Sequence, residues 1–289
     1  MADQDKVVTI SQQKCGLTFH RSFSLVRPAI TSILELAVEH AVASDTDKAL
    51  TLDEIRQKTN LGTVYVEAMP RYAKATGLLG DSLRPTDFGA LAHEWDPLLE
   101  RSGTQWLMHY HISSLYGTGP AFWHYLVADR FRSGNEFTRD DISQQLSSFV
   151  AQTEDRDLTS RDADATATIF LGTYTKSDAL GPLEILDEAR DGYYRVLEPE
   201  APPIWAMAYA LLDFWGARFP QQITVNLNDL SGANGLTSLF LVGAGRLNAV
   251  LRAMQEEGYV EVYRVAPPYQ VLLLKKDRQA LLERLYSHD

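Results

Sequence analysis

Cysteine is almost absent from this chain, since Cys15 is the only one among 289 residues. A single cysteine excludes an internal disulfide, a zinc ribbon and a CxxC redox pair. No run of about 18 apolar residues occurs, so the pattern contains no membrane-spanning helix. The first residues are polar and acidic instead of basic and then apolar, which does not indicate an export signal. These absences predict a cytoplasmic protein with no membrane partner.

Basic charge is also scarce. The chain carries 27 Lys and Arg against 38 Asp and Glu, a formal net charge of −11. Such a balance argues against a general nucleic-acid coat protein. From Thr224 to the C-terminus, however, basic and acidic residues are equal in number. A local DNA-binding patch is therefore compatible with the C-terminal part of the chain.

Recognisable catalytic and nucleotide-binding motifs are missing. Neither the GxGxxG nor the GxxxxGK[ST] phosphate-binding pattern is present, and there is no GxSxG nucleophile motif. His109 and His111 are two positions apart, so they cannot share one face of a helix and form a poor metal-binding pair. We therefore predict no catalytic residues, no metal site and no cofactor, and we expect a protein that is not an enzyme.

One pattern occurs twice, near the two ends of the chain. A short helix, a turn, a second helix and a β-prone stretch run from Thr51 to Gly89, and again from Thr224 to Lys276. Thr51 is followed three residues later by Glu54, which is a capping box at a helix start. A helix-turn-helix closed by a β-hairpin is the winged-helix pattern, which usually binds nucleic acid or another protein.

The predicted fold class is mainly α, with small β-hairpin wings. We expect winged helix-turn-helix modules at both ends and a helical middle rich in aromatic residues. Thr138 is expected to cap a helix in that middle, a short hairpin is expected around Tyr193 to Leu197, and an apolar helix from Trp205 to Phe219. The predicted division is a polar arm (1–24), an N-terminal winged-helix module (25–95), a helical middle with a connector (96–203) and a C-terminal winged-helix module (204–289).

The C-terminal copy carries the stronger candidate DNA-binding residues. Arg246 and Asn248 lie near the start of its second helix, and Arg252 lies further along it. Arginine can bind guanine with two hydrogen bonds in the major groove, and asparagine can bind adenine in the same way. Arg264, near the hairpin tip, and Lys275, at the exit of the hairpin, are suited to phosphate contacts. The alternative is a protein-docking surface.

The N-terminal copy offers a weaker second surface. Arg71 and Lys74 lie on one face of its second helix and are suited to contacts with phosphate. Glu67 lies on the same face and opposes DNA binding. The alternative is an ordinary solvated helix face in a module that serves only for packing.

Several stretches resemble, in order, successive blocks of the bacterial family catalogued as domain of unknown function 4007. They include HRSFSLVR (20–27), LRPTDFG (83–89), DPLLERSGTQWLMHYHISS (96–114) and LGPLEILDEA (180–189). The first block departs from the family pattern, which is nearer HETF. Members of that family tend to be encoded in bacterial defence islands, near DNA-sulfur-modification or phage-exclusion genes. The resemblance therefore implies a role in handling DNA during phage defence, with other defence-system proteins as partners.

Taken together, the pattern and the resemblance favour a non-enzymatic accessory protein of a bacterial anti-phage DNA-modification or defence system. It is expected to bind double-stranded DNA or to assemble a complex. One alternative is a winged-helix transcriptional regulator of a neighbouring operon. Another is an acidic protein-binding scaffold that makes no contact with DNA. The oligomeric state is left open by the sequence.

Overall fold

The computed structural model describes residues 16–43, 49–189, 192–232 and 235–288. These residues form a mainly helical fold, as the sequence pattern predicted, and they include two small three-stranded antiparallel sheets. Most of the predicted polar arm, residues 1–15 with Cys15, lies outside the described residues. No helix in the described ranges is both long and apolar enough to cross a membrane.

The helices, in chain order, are α1 (Arg27–Ala43), α2 (Leu52–Lys58), α3 (Thr63–Ala75), α4 (Asp87–Trp95), α5 (Ser102–Ser113), α6 (Ala121–Arg130), α7 (Arg139–Glu154), α8 (Ser160–Thr175), α9 (Ile204–Arg218), α10 (Leu227–Ser231), α11 (Leu236–Leu239), α12 (Ala244–Glu256) and α13 (Arg278–His288). The strands are β1 (Glu136–Thr138), β2 (Leu186–Glu188), β3 (Tyr193–Val196), β4 (Thr224–Asn226), β5 (Val260–Tyr263) and β6 (Gln270–Leu273). A short 3-10 helix at Gly181–Leu183 precedes β2.

Two helix starts are closed by reciprocal hydrogen bonds; the sequence predicted this capping box at Thr51, and at Thr138 it predicted a helix cap. The hydroxyl of Thr51 accepts from the Glu54 N–H at 3.2 Å, while the Glu54 carboxylate accepts from the Thr51 N–H at 2.9 Å. Thr138 and Asp141 form the same arrangement at the start of α7. The Thr138 backbone N–H holds the pKa of the Asp141 carboxyl below its usual range. Each box satisfies amide groups that a helix start otherwise leaves without partners.

The two sheets have the strand orders β1-β3-β2 and β4-β6-β5, with every pair antiparallel. The hairpin expected around Tyr193 to Leu197 is confirmed, since β3 at Tyr193–Val196 pairs with β2. In the second sheet, β4 precedes α10, α11 and α12, and the β5–β6 hairpin follows them. The sheet therefore brings the hairpin back beside the segment that leads into these three helices.

The wing predicted for the N-terminal copy is not confirmed. Within the described residues between α3 and α4, the backbone pairing is limited to one antiparallel bridge, between Leu79 and Pro85. Thr86 then caps α4, because its hydroxyl accepts from the Gly89 N–H at 3.0 Å. The start of α4 ends the extended stretch before a second strand can form.

The buried apolar side chains form one continuous cluster that extends across the predicted boundaries at residues 95 and 203. Helix α5 is buried on almost every side, and α9 packs against it. Helix α13 packs against both α9 and α4. The aromatic side chains Trp106, Tyr110 and Trp123 are fully buried, as expected for a helical core. The end of the chain is thus joined to helices from its beginning.

Candidate nucleic-acid interface

One face of helix α12 packs on the core, and the opposite face is turned towards solvent. Its buried residues are Leu247, Val250, Leu251 and Met254, which recur at helical spacing. The opposite face carries Asn248, which is half-buried, and Arg252, which is exposed. Because these two residues are four positions apart, they lie one above the other on the same face. This face is the centre of the candidate interface.

Asn248 connects α12 to the β5–β6 hairpin. A guanidinium N–H of Arg264 donates to Oδ1 of Asn248 over 2.7 Å. Arg264 is exposed, and it directly follows the last residue of β5. The bond holds the tip of the hairpin beside the exposed face of α12. The structure therefore brings together Asn248, Arg252 and Arg264, three of the residues that the sequence predicted.

A second link joins α12 to the hairpin further along the helix. The backbone N–H of Val262 donates to the side-chain oxygen of Gln255 over 3.0 Å. Gln255 was not among the predicted site residues, and no sequence motif marks it. Its role depends on the distance between a helix and a strand that only the folded chain defines.

The hairpin tip is exposed and partly apolar. Val265 is 97% exposed, and Tyr263 and Tyr269 also present large surfaces to solvent. The hydroxyl of Tyr263 donates to the Glu261 carboxylate over 2.7 Å, and this bond raises the pKa of Tyr263. Glu261 and the exposed Glu256 at the end of α12 place negative charge near Arg252 and Arg264. The surface around the hairpin therefore carries both positive and negative charge.

Arg246 does not point freely towards solvent. It is half-buried, and its guanidinium donates to the carbonyl oxygen of Pro202, in the segment before α9. Its Nε atom is buried and makes no hydrogen bond within the described residues. Arg246 therefore ties the first turn of α12 to the segment that leads into α9.

Lys275 lies away from the other candidate residues. Its ammonium donates to the carbonyl oxygen of Glu257 over 3.0 Å and sits 5.4 Å from the centre of the Tyr259 ring. A cation at the C-terminus of a helix is stabilised by the helix dipole. The pairing of Val260 with Leu273 places Lys275 near residue 258. Residue 258 and Arg264 are six residues apart along the strand, so Lys275 lies about 20 Å from Arg264.

The N-terminal candidates on α3 are engaged with the rest of the chain. A guanidinium N–H of Arg71 donates to the carbonyl oxygen of Thr18 over 3.0 Å, although the residue is exposed. The ammonium of Lys74 lies 3.0 Å from a carboxylate oxygen of Asp81. The two cations therefore lie on one helix, but each already has a partner.

The segment before α1 covers part of the outer face of α3. The Phe19 ring packs edge-on against Tyr72, with ring centres 4.8 Å apart, and the Tyr72 hydroxyl donates to the carbonyl of Phe23 over 2.8 Å. Arg21 forms an ion pair with Glu67, which lowers the pKa of that carboxyl. A duplex approaching α3 would meet this segment first.

Two histidines of the middle helices, His109 and His124, lie against backbone carbonyl oxygens in the core. His109 is fully buried and its Nε2 lies 2.8 Å from the carbonyl oxygen of Leu239. Nδ1 of His124 lies 2.8 Å from the carbonyl oxygen of Ser113. Burial lowers the pKa of both imidazoles, so both are neutral in the folded chain. In the described ranges, no group of three or more His, Cys, Asp and Glu side chains is placed to hold a metal ion.

The chain belongs to the family described as protein of unknown function DUF4007, whose model matches residues 34–286. Two solved structures have a similar fold, the SspB crystal structure and the magnesium ion-bound SspB crystal structure. Each matches with a TM-score of 0.73 and 16% identity, over 96% of this chain and 90% of the other. At that identity the likeness shows a shared fold. No curated protein matches the sequence.

Proposed function

We propose that this member of the DUF4007 family is a non-enzymatic accessory protein of a bacterial anti-phage defence system. It binds double-stranded DNA through α12 and the β5–β6 hairpin, and it thereby places DNA among the other proteins of the system. The observation that carries the proposal is the Arg264–Asn248 hydrogen bond, which aligns the hairpin tip with the face of α12 that presents Arg252.

The order of the elements supports a winged helix-turn-helix at this end of the chain. Strand β4, three helices and the β5–β6 hairpin follow one another, and β6 lies between β4 and β5 in the sheet. In helix-turn-helix proteins the second helix of the motif enters the major groove. Here that helix is α12, which begins at the exposed Gly243 and Ala244. The absence of bulky side chains at its start allows close approach to a duplex.

The chemistry of the three aligned residues fits this use. Arg252 forms no hydrogen bond or ion pair with any described residue, so its guanidinium is available to phosphate or to a base edge. Arg264, at the hairpin, is placed to contact the phosphates of the DNA backbone next to the groove that α12 enters. Arg71 and Lys74 on α3 would supply a second contact with DNA only if they exchanged their present interactions, with Thr18 and Asp81, for interactions with phosphate.

The defence setting rests on the family resemblance. One of the two similar structures is a magnesium ion-bound form. For this chain we propose DNA binding without cleavage. Supercoiled plasmid kept with the protein and Mg²⁺ is expected to stay supercoiled. Nicked or linear product that EDTA prevents would overturn the non-enzymatic part of the proposal.

The first experiment measures binding to a labelled random duplex by fluorescence anisotropy, from about 50 to 200 mM salt. The test variant is Arg252→Glu/Arg264→Glu. The matched control is Arg161→Glu/Arg195→Glu, which makes the same charge change at exposed positions on α8 and β3. We expect salt-sensitive binding by the wild type and the control, and loss of binding by the test variant.

The alternatives predict different outcomes. A transcriptional regulator would bind one operator-like site far more tightly than random duplex. An acidic scaffold would bind no duplex even at the lowest salt. Equal losses in the test and control variants would show that binding depends on overall charge and not on α12 and the hairpin.

A further inference from the structure

A cleft of about 320 Å³ opens where α3, α5, α9 and the start of α13 meet. Its polar walls include Lys74 from α3, His111 from α5, Tyr209 and Asp213 from α9, and Arg278 from α13. The volume lies at the small end of the range for ligand pockets, which suits a compact polar molecule. Only Lys74 is shared with the predicted DNA-binding residues.

His111 is held rigidly in the wall of this cleft. Its ring stacks on Phe88, with ring centres 5.8 Å apart. It also lies so close to Gly77 that a Cβ there would be 2.4 Å from the imidazole. Its Nε2 atom is buried and makes no hydrogen bond within the described residues. Burial lowers the pKa of this imidazole, so the neutral ring has one N–H to donate.

Tyr209 adds a second uncommitted donor. The residue is 7% exposed and lines the cleft, and its hydroxyl forms no hydrogen bond within the described part of the chain. Burial raises the pKa of the phenol, which therefore stays protonated. Since this hydroxyl is open to the cleft and not fully buried, it is accessible to a ligand atom that accepts a hydrogen bond.

The acidic groups of the cleft are already engaged or face solvent. One oxygen of the Asp213 carboxylate accepts from Arg278, and the other accepts from the Tyr110 hydroxyl over 3.0 Å. Asp81, the partner of Lys74, has a side chain that is 98% exposed, and Asp87 at the start of α4 is exposed as well. The groups left without partners inside the cleft are therefore mainly donors.

We propose that this cleft binds a small molecule through one oxyanion group, with a phosphate monoester as the favoured class. Arg278 and Lys74, which pair with Asp213 and Asp81, have further N–H groups to offer the oxyanion, and Tyr209 and His111 donate to the remaining oxygens. Arginine binds oxyanions well because it offers several N–H donors in one plane. The site lies apart from α12 and the hairpin, and the proposal does not depend on DNA binding.

Ligand binding at this place joins helices from both ends of the chain. Helices α3 and α4 come from the N-terminal part, whereas α9 and α13 come from the C-terminal part. A molecule that binds only when these helices are packed together stabilises the folded state, and above Kd the stabilisation grows with the logarithm of the ligand concentration. Stabilisation against heat is therefore a readout that requires no known activity.

The test is thermal unfolding and titration calorimetry of the full chain with inorganic phosphate at millimolar concentrations. Tyr209→Phe keeps the ring and removes one donor, so Kd should rise about threefold to tenfold. Arg278→Gln removes the charged donor, so Kd should rise by more than about tenfold. Tyr193→Phe and Arg195→Gln, on the exposed strand β3, make the same chemical changes elsewhere and should bind phosphate as the wild type does.

Two further titrations identify the kind of molecule that carries the oxyanion. Acetate in place of phosphate tests a carboxylate ligand, and should bind more weakly. A short duplex tests DNA phosphate, and Arg278→Gln should leave duplex binding unchanged. No increase in Tm with phosphate would overturn the proposal, as would an equal increase in the wild type, Tyr209→Phe and Arg278→Gln.

Discussion

The buried hydroxyl of Tyr174 donates a hydrogen bond to Nδ1 of His109 over 3.0 Å. The direction follows from the other ring nitrogen, because Nε2 faces the carbonyl oxygen of Leu239 at 2.8 Å and must carry the proton. The Tyr174 oxygen in turn accepts from the indole N–H of Trp123 at 2.9 Å. One phenol thus satisfies polar atoms from two other helices in the middle of the core.

Removing that hydroxyl should destabilise the fold. Tyr174→Phe leaves the Trp123 N–H buried without a partner and leaves Nδ1 of His109 with only the longer 3.4 Å contact to the Ser113 hydroxyl, so the free energy of unfolding should fall by about 1 to 3 kcal/mol. Urea unfolding measures the change. Tyr125→Phe is the control, since the half-buried Tyr125 hydroxyl forms no hydrogen bond with a described residue. Equal effects of the two substitutions would show that the hydrogen bonds of the Tyr174 hydroxyl to His109 and Trp123 do not stabilise the fold.

Stability should fall as the pH drops from about 6.5 towards 4. Burial lowers the pKa of His20 and of His109 to about 4 in the folded chain, below their ordinary value of 6.5. In this window the unfolded chain binds protons that the folded chain does not, so stability is lost as pH decreases and is fully present above it. The loss should be on the order of 1 kcal/mol per pH unit for each histidine.

The contribution of His20 can be separated. Its Nδ1 accepts from the Ser22 N–H at 3.0 Å, so protonation would place a proton against another donor. His20→Gln cannot titrate in this range and should reduce the slope of unfolding free energy against pH. Chemical unfolding at several pH values measures it, and an unchanged slope would count against the assignment.

Arg27 should resist even a conservative replacement. Its buried guanidinium donates to three carbonyl oxygens, those of Ala179 at 2.7 Å, Leu99 at 2.8 Å and Ser177 at 2.6 Å. Lysine has no planar set of N–H donors and cannot reach all three carbonyl oxygens at once. Arg27→Lys should therefore lower the free energy of unfolding by about 2 to 4 kcal/mol. Arg161→Lys, at an exposed position, should change it by less than about 0.5 kcal/mol.

Gly89 should not tolerate a methyl group. A Cβ at this position would lie 1.9 Å from the carbonyl oxygen of Leu78, which also accepts from the Thr86 N–H. Gly89→Ala should therefore destabilise the fold by at least about 1 to 3 kcal/mol, through separation of α4 from the preceding loop. Gly62→Ala is the matched control, since nothing lies within 4 Å of its Cβ. Differential scanning calorimetry compares the two.

If the proposed function holds, Arg252 and Arg246 should behave differently. Arg252→Gln should leave Tm unchanged and reduce the slope of log binding constant against log salt by about 1. Arg246→Gln should instead lower Tm, because its guanidinium holds the carbonyl of Pro202. A lower salt slope with an unchanged Tm for Arg246→Gln would show that Arg246 contacts DNA directly.

Local features were predictable from the sequence. The capping box at Thr51 and the helix cap at Thr138 depend on residues three positions apart, and α9 at Ile204–Arg218 nearly matches the apolar stretch expected from Trp205 to Phe219. Hydrogen bonds and periodicity within one turn or one helix are encoded in neighbouring residues. For the same reason the mainly helical class followed from the pattern.

The candidate site was predictable only in part, because side-chain availability depends on distant residues. Asn248, Arg252 and Arg264 come together as expected for a helix and its hairpin. Arg246 turns to Pro202, which is 44 positions away, and no local pattern indicates that contact.

The sequence by itself therefore determined the mainly helical class, the caps at Thr51 and Thr138 and the hairpin before α9, since short-range hydrogen bonds and apolar periodicity specify them, whereas the hairpin expected after α3 did not form. Only the tertiary structure decided that Thr18 and Phe19 would contact α3, and that Lys275 would end far from Arg264. It also decided that His111 and Tyr209 would face one cleft with Arg278. These outcomes come from packing between segments far apart in the chain, where burial of apolar surface sets the geometry and polar groups take the partners that remain.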